Sequence, residues 1–65
     1  MKKYTLYEII YTGMEDVQVR KYRRGWKDVR VCLHNKKTKA EWDAKVFDNS
    51  KDANKYAKQL ADSNK

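Results

Sequence analysis

Residues 26–34 read WKDVRVCLH, and this stretch decides the fold because its apolar and polar side chains alternate. The apolar side chains that share one side are Val29, Val31 and Leu33. The other side holds four polar or small residues, Asp28, Arg30, Cys32 and His34. A period of two residues is that of a β-strand with one buried face. The stretch therefore predicts a half-buried strand within a sheet.

Further strands are predicted on both sides of this stretch. Segments that are rich in β-branched and aromatic residues, or that alternate in polarity, lie at residues 3–12, 17–23 and 40–47. Glycine or polar residues separate the segments at residues 13–16, at Gly25 and at residues 35–39. Connections this short pair neighbouring strands in chain order, so the strands form an antiparallel meander.

The two outer strands differ in how well their faces can be assigned. In the last strand, alternation puts Ala40, Trp42, Ala44 and Val46 on one side and Glu41, Asp43, Lys45 and Phe47 on the other. In the first strand, Leu6, Glu8 and Ile10 share one side, and Tyr7, Ile9 and Tyr11 share the other. Both sides of the first strand are mostly apolar, so its orientation stays open.

A helix is predicted after residue 47, where the apolar spacing changes from two to three and four. The residues that carry this spacing are Ala53, Tyr56, Ala57, Leu60 and Ala61. Asp48, Asn49 or Ser50 can cap its start, and it ends near residues 62–64. The predicted fold is α+β: a three- to four-stranded antiparallel meander with one C-terminal helix packed on one face. Residues 1–65 form a single small basic domain.

One face of such a sheet stays uncovered, because a single helix covers only the other. Val17 and Val19 belong with Val29, Val31 and Leu33 under the helix, with Trp42 or Phe47 completing the small core. Alternation then places Arg20, Tyr22, Arg24 and Arg30 on the uncovered face. Lys21 and Arg23 point to the helix side, near an edge where they reach water.

The positive charge of the chain is concentrated in one segment. Residues 17–39 hold nine lysines and arginines against one acidic residue, Asp28, which is a net charge of +8. The other residues hold seven positive and eight negative groups, so this segment carries all the excess of the +7 chain. Concentrated positive charge attracts a polyanion such as nucleic acid or an acidic protein surface.

The uncovered face and the hairpin at Gly25 are therefore predicted to bind nucleic acid, with DNA favoured over RNA. Lysine and arginine bind phosphates and release counterions, arginine can also contact guanine edges, and aromatic rings stack on exposed bases. The candidate binding residues are Arg20, Tyr22, Arg24, Trp26, Arg30, Lys36 and Lys37. The loop that carries Lys36 and Lys37 lies at the opposite end of the sheet from Gly25, so a ligand that touches both runs along the sheet.

Catalytic and metal-binding functions are not predicted. Cys32 and His34 share a strand face at a spacing of ~7 Å, too far apart for a nucleophile and its base. With one carboxylate they would make a poor metal ligand set, and no glycine-rich phosphate loop is present. We expect no enzyme activity and no cofactor. The absence of a signal sequence or long apolar segment, together with a lone cysteine, predicts a cytoplasmic protein that does not enter membranes.

The end of the chain resembles a known DNA-binding domain. From residue 26 onward a basic hairpin, a strand ending in Val46-Phe47, a polar turn and the helical segment SKDANKYAKQL follow one another. This order resembles the N-terminal arm-type DNA-binding domains of tyrosine-family integrases. The matching positions are Phe47, Ser50, Lys51, Asp52, Ala53 and Tyr56. The resemblance implies a three-stranded sheet that reads the major groove, and we expect a free-standing DNA-binding module and not a recombinase. The strand at residues 3–12 departs from this pattern.

A different class of function remains open beside this one. A small protein with a basic patch can also act as an inhibitor or regulator, of a phage or mobile-element type, that docks on an acidic protein partner. Tyr4, Tyr7 and Tyr11 lie on an edge strand that can pair with a partner's sheet or with a second copy. Monomer and homodimer are both compatible with the sequence.

Overall fold

The computed structural model describes residues 3–25 and 28–64 as one four-stranded antiparallel sheet and one helix. The strands are β1 (Thr5–Tyr11), β2 (Val17–Arg24), β3 (Asp28–Asn35) and β4 (Glu41–Phe47), and they lie in the order β1-β2-β3-β4. The helix α1 (Ser50–Ser63) follows β4 directly. The predicted α+β meander with a C-terminal helix on one face is therefore confirmed.

The core lies between α1 and the two central strands. Ala53, Ala57 and Leu60 of the helix pack against apolar side chains of β2 and β3: Val17, Val19, Val29, Val31 and Leu33. Ile10, Phe47 and Tyr56 border this cluster and are partly buried. The alternation that predicted the buried side of β2 and β3 is confirmed. Trp42, which was expected to be a core candidate, keeps 37% of its surface exposed, whereas Phe47 packs against the core.

The start of the helix is capped by a side chain. Asn49 has an extended backbone, and its side-chain oxygen accepts a hydrogen bond of 2.8 Å from the backbone N–H of Asp52. This bond satisfies one of the free N–H groups in the first turn. The carboxylate of Asp52 in turn accepts a hydrogen bond from the Asn49 side chain at 3.1 Å. Asn49 is therefore the N-cap residue among the three candidates Asp48, Asn49 and Ser50.

Both edge strands contain a β-bulge, and each bulge corrects a prediction made from alternation. In β1 the register with β2 shifts between Leu6 and Glu8, so that Leu6 pairs with Tyr22 while Glu8 pairs with Lys21. Leu6 and Glu8 therefore lie on opposite sides of the sheet, although their spacing of two predicted the same side. A bulge adds one residue to one strand and reverses the alternation beyond it.

The bulge in β4 likewise reverses the alternation of side chains in the second half of that strand. The register with β3 shifts between Val31 and Leu33, and Asp43 at this point has φ 55°. Trp42 pairs with Leu33 on the helix side, but Val46 pairs with Arg30 on the opposite side and is 57% exposed. The prediction that Trp42 and Val46 share a side is therefore wrong.

No helix within the described ranges is long and apolar enough to cross a membrane.

Candidate nucleic-acid interface

The face of the sheet opposite α1, called the uncovered face below, brings most of the predicted binding residues together. In the β2–β3 ladder Arg20 pairs with Cys32, Tyr22 with Arg30 and Arg24 with Asp28. These pairs alternate with Val19–Leu33 and Lys21–Val31, whose side chains face the helix. Side chains of directly opposed residues lie on the same side of a sheet. Arg20, Tyr22, Arg24 and Arg30 therefore form one patch.

The other predicted residues stand apart from this patch. Trp26 lies outside the described residues. Lys36 and Lys37 are exposed in the turn between β3 and β4, where the Asn35 side chain accepts hydrogen bonds from the backbone N–H groups of Lys37 and Thr38. Because β3 runs away from the Gly25 hairpin, this turn lies ~24 Å from it along the strand.

The sequence did not indicate that a single carboxylate organises the uncovered face. Glu41 pairs with His34 across β3 and β4, so its side chain points to this face. Its Oε2 atom accepts a hydrogen bond of 2.9 Å from the Tyr22 hydroxyl, and its Oε1 atom lies 3.4 Å from the guanidinium of Arg30. Glu41 therefore joins the strands β2, β3 and β4.

The pKa of Glu41 reflects these contacts. Burial by itself raises the pKa of this carboxyl group, because it penalises the charged form. The hydrogen bond from Tyr22 and the charge and hydrogen bonds of Arg30 favour the charged form and outweigh burial. The pKa of Glu41 is therefore lowered from its ordinary value of 4.5. At neutral pH the group is an anion among the arginines of the patch.

The arginines of the patch lie along the sheet. Arg20 donates from Nε to the Gln18 side-chain oxygen at 2.8 Å and from Nη1 to the Tyr22 hydroxyl at 3.4 Å. The guanidinium of Arg30 lies 5.6 Å from the centre of the Tyr22 ring. An arginine held by neutral groups or stacked on a ring keeps its charge and further N–H donors for an anionic ligand. Arg20 and Arg30 are thus preorganised around Tyr22.

Three side chains of the uncovered face are buried, although the helix does not cover them. Gln18, Cys32 and His34 expose 3%, 0% and 6% of their surface. The Nη1 atom of Arg30 lies 3.7 Å from the Cys32 sulfur, and the His34 Nδ1 atom lies 3.4 Å from the Glu41 carboxylate. Within the described ranges neither ring nitrogen of His34 makes a hydrogen bond. These three side chains are therefore buried beneath other side chains of the same face, although the helix lies on the other side of the sheet.

Cys32 is chemically protected in this position. Its burial, followed in effect by the nearby charge of Glu41, raises the pKa of the thiol to about 11, although Arg30 acts in the opposite direction. Only the thiolate is a nucleophile, so a thiol with this pKa is unreactive at neutral pH. Among the residues that the structure describes, no three His, Cys, Asp or Glu side chains could jointly hold a metal ion. The expectations of no catalysis and no cofactor stay predictions.

Comparison of the chain with protein-family models, with curated proteins and with solved structures finds no match. The resemblance to integrase arm-type domains therefore stays a prediction.

Proposed function

We propose that this protein binds nucleic acid, with DNA favoured over RNA, through the uncovered face of its sheet. The observation that carries the proposal is the placement of Arg20, Arg24 and Arg30 on the same side of the sheet as Tyr22, the side that α1 leaves free. Three guanidinium groups in one patch match the charge of successive phosphates, and an aromatic ring among them offers a stacking surface.

The length of the basic surface supports an extended ligand. Lys36 and Lys37 continue the positive charge at the far end of β3, ~24 Å from the Gly25 hairpin. Duplex DNA advances 3.4 Å per base pair, so a duplex in contact with both ends spans roughly seven base pairs. A shorter ligand contacts the arginine patch alone. Mutation of the two ends separately distinguishes these cases.

Glu41 limits the affinity of this surface. Its carboxylate lies 3.4 Å from Arg30 and therefore competes with a phosphate for the same guanidinium. The Asp28 carboxylate lies 3.1 Å from the Arg24 guanidinium and competes with a phosphate in the same way. Both pairs are partly exposed, so exchange of a carboxylate for a phosphate costs little. Binding by ion exchange of this kind depends steeply on salt concentration.

The test is a titration of the full chain by fluorescence anisotropy against labelled duplex DNA, single-stranded DNA and RNA. The measurements are made at ~50 mM and ~200 mM salt, because affinity from counterion release is strongest at low salt. We expect binding at ~50 mM that weakens by at least about tenfold at ~200 mM. No binding to any of the three probes at ~50 mM salt rejects the proposal.

Matched variants locate the surface. Arg20→Gln and Arg30→Gln each remove one positive charge from the uncovered face, and Lys58→Gln removes one from an exposed position of α1. Each arginine variant should reduce the slope of log affinity against log salt by ~1, whereas Lys58→Gln should leave it nearly unchanged. Equal effects of all three would show that only net charge matters and would contradict a site on the uncovered face.

A further inference from the structure

The strand β1 forms a free edge of the sheet and is poorly buried. It pairs with β2 on one side, and none of its seven residues is fully buried. The large apolar side chains that remain exposed include Leu6, Tyr7, Tyr11 and, in the turn that follows, Met14. An apolar edge strand presents unpaired backbone N–H and C=O groups to any extended chain that approaches. This edge therefore resembles an acceptor for another strand.

The opposite edge of the sheet is protected in the ways that edge strands usually are. β4 carries the charged residues Glu41, Asp43 and Lys45, and its bulge interrupts the regular ladder at Asp43. β1 carries one charged residue, Glu8, whose carboxylate is neutralised by the Lys21 ammonium at 2.7 Å. Its bulge lies at the start, so residues from Glu8 to Tyr11 pair regularly with β2. The two edges thus differ in their capacity to accept a strand.

Two arginines of β2 reach across β1 towards this free edge. The guanidinium of Arg23 lies 4.5 Å from the centre of the Tyr7 ring. The guanidinium of the next residue, Arg24, lies 4.9 Å from the centre of the Tyr4 ring. Successive residues of a strand point to opposite sides of the sheet, so one arginine lies on each side of β1. Both guanidinium groups keep N–H donors free while they stack on a ring.

The positions of Arg23 and Arg24 indicate the charge that a strand added to the β1 edge would carry. Adjacent residues of an incoming strand also point to opposite sides, so two adjacent acidic residues would meet Arg23 and Arg24. Arg24 also contacts the Asp28 carboxylate at 3.1 Å, but this pair is exposed and can exchange. Further along β1, Glu8 is already paired with Lys21, and Ile9, Ile10 and Tyr11 offer apolar contacts. The preferred segment is acidic at one end and apolar at the other.

We propose that the β1 edge binds an extended segment of a partner protein by strand addition, with two adjacent acidic residues beside Arg23 and Arg24. The backbone of the segment continues the sheet beyond β1, which provides affinity, and the side chains on the two sides provide selectivity. This site shares Arg24 with the proposed nucleic-acid surface, so an acidic segment and a phosphate compete for that guanidinium, whereas Arg23 belongs to this site alone.

A second copy of the chain fits this edge less well. In β1 the acidic residue Glu8 stands alone, so β1 of another copy would not bring adjacent carboxylates to Arg23 and Arg24. The two copies would also bring positive charges together, because each chain carries +7. Self-association through β1 is therefore the competing outcome of the test rather than its expectation.

The experiment begins with selection of binders to the full chain from a library of randomised peptides of about ten residues, long enough to cover β1. We expect the enriched peptides to carry two adjacent acidic residues next to β-branched or aromatic residues. The best peptide is then synthesised with a fluorescent label, and its affinity is measured by anisotropy. Enriched peptides without acidic residues would contradict the proposal.

Variants and modified peptides test the geometry. Arg23→Glu should weaken the peptide by at least about tenfold, while Lys58→Glu, the same charge change on an exposed position of α1, should have a much smaller effect. Arg23 is exposed, so its variant should fold; circular dichroism checks this. Arg23→Gln serves as a milder second variant.

Strand addition also makes a prediction about the peptide backbone. Alternate residues of the added strand direct their N–H groups towards β1. N-methylation of one alternate set should therefore abolish binding, while methylation of the other set should preserve it. Equal binding of both methylated peptides would overturn the proposal. The proposal would also be overturned if the free chain sedimented as a dimer that excludes the peptide and that persists in the Arg23→Glu variant.

Discussion

The ammonium group of Lys21 lies 2.7 Å from the carboxylate of Glu8, and it is buried on the helix side of the sheet. Lys21 exposes 4% of its surface, and it also donates a hydrogen bond to the side-chain oxygen of Asn54 in α1. The Tyr7 ring lies 5.4 Å from the same nitrogen. One lysine thus connects β1, β2 and the helix. Removal of Glu8 should therefore change the stability of the protein by a different amount from removal of Lys21.

We expect Glu8→Ala to destabilise the protein more than Lys21→Met does. Loss of Glu8 leaves a buried ammonium group without its counterion, although the Asn54 oxygen still accepts from it, so the cost should be about 1–3 kcal/mol. Lys21→Met keeps a similar volume without the charge, and the half-exposed Glu8 can turn to water, so the cost should stay below ~1 kcal/mol. Urea denaturation of the two variants and of the double variant measures this. A larger loss for Lys21→Met than for Glu8→Ala would contradict the assignment.

Glu41→Gln should increase the affinity for nucleic acid. The change removes the carboxylate that competes with phosphate for Arg30, and glutamine can still accept the hydrogen bond from Tyr22. Removal of one charge at ~4 Å from a phosphate corresponds to about 1 kcal/mol, or roughly fivefold in Kd at ~50 mM salt. Asp48→Asn, with the same charge change outside the uncovered face, is the control. An unchanged or weaker affinity of Glu41→Gln would place the ligand elsewhere.

Acid should remove the stabilisation that Glu41 contributes. Because the pKa of this carboxyl group is lower in the folded chain than its ordinary value of 4.5, its contribution is complete above pH 4.5. The contribution is lost as the pH falls below 4.5 and through the lowered pKa. Urea denaturation between pH 6 and pH 3 should therefore show a smaller loss of stability for Glu41→Gln than for the unmodified chain. Parallel curves for the two proteins would contradict the lowered pKa.

Cys32 should react with a thiol reagent only when the protein unfolds. Its side chain has no exposed surface, and burial raises the pKa of the thiol to about 11. An aromatic disulfide reagent should therefore modify the native chain at pH 8 much more slowly than the chain in ~8 M urea, by at least about a hundredfold. Rapid modification under native conditions would show that the side chains of the uncovered face do not cover Cys32.

The same raised pKa predicts lower stability at high pH. A group with a raised folded-state pKa contributes fully below its ordinary value, here 9.0, and loses this contribution as the pH rises to about 11. Stability measured by urea denaturation should fall from pH 9 to pH 11, and Cys32→Ala should reduce this fall. An identical decline in Cys32→Ala would show that other groups cause the loss of stability. Tyr22 is one such group, because burial also raises its pKa.

The central elements could be predicted because local pattern and tertiary environment agree there. Val29, Val31 and Leu33 alternate in a regular strand that has neighbours on both sides, and all three are buried as expected. The edge strands were less predictable, because a bulge adds a residue that alternation does not reveal. The bulge in β1 places Leu6 and Glu8 on opposite sides, and the bulge at Asp43 moves Val46 to the uncovered face.

The candidate site was likewise predictable only in part from the sequence. Arg20, Tyr22, Arg24 and Arg30 were assigned to one side from alternation alone, and the register confirms this placement. Glu41 could not be assigned a role, because its contacts with Tyr22 and Arg30 cross 19 and 11 positions of the chain. Arg23 was expected to reach water, and it does. Lys21 was expected to do the same, but it is buried under the helix.

The sequence by itself determined the order of the elements, the side of β2 and β3 that faces the helix, and the segment that carries the charge. These properties depend on the side-chain periods of strands and helices and on the number of ionisable groups, which are local. Only the tertiary structure decided the bulges, the burial of Lys21 and the position of Glu41 among the arginines. Those depend on strand register and on contacts between distant residues, where a shift of one position exchanges the two faces of a sheet.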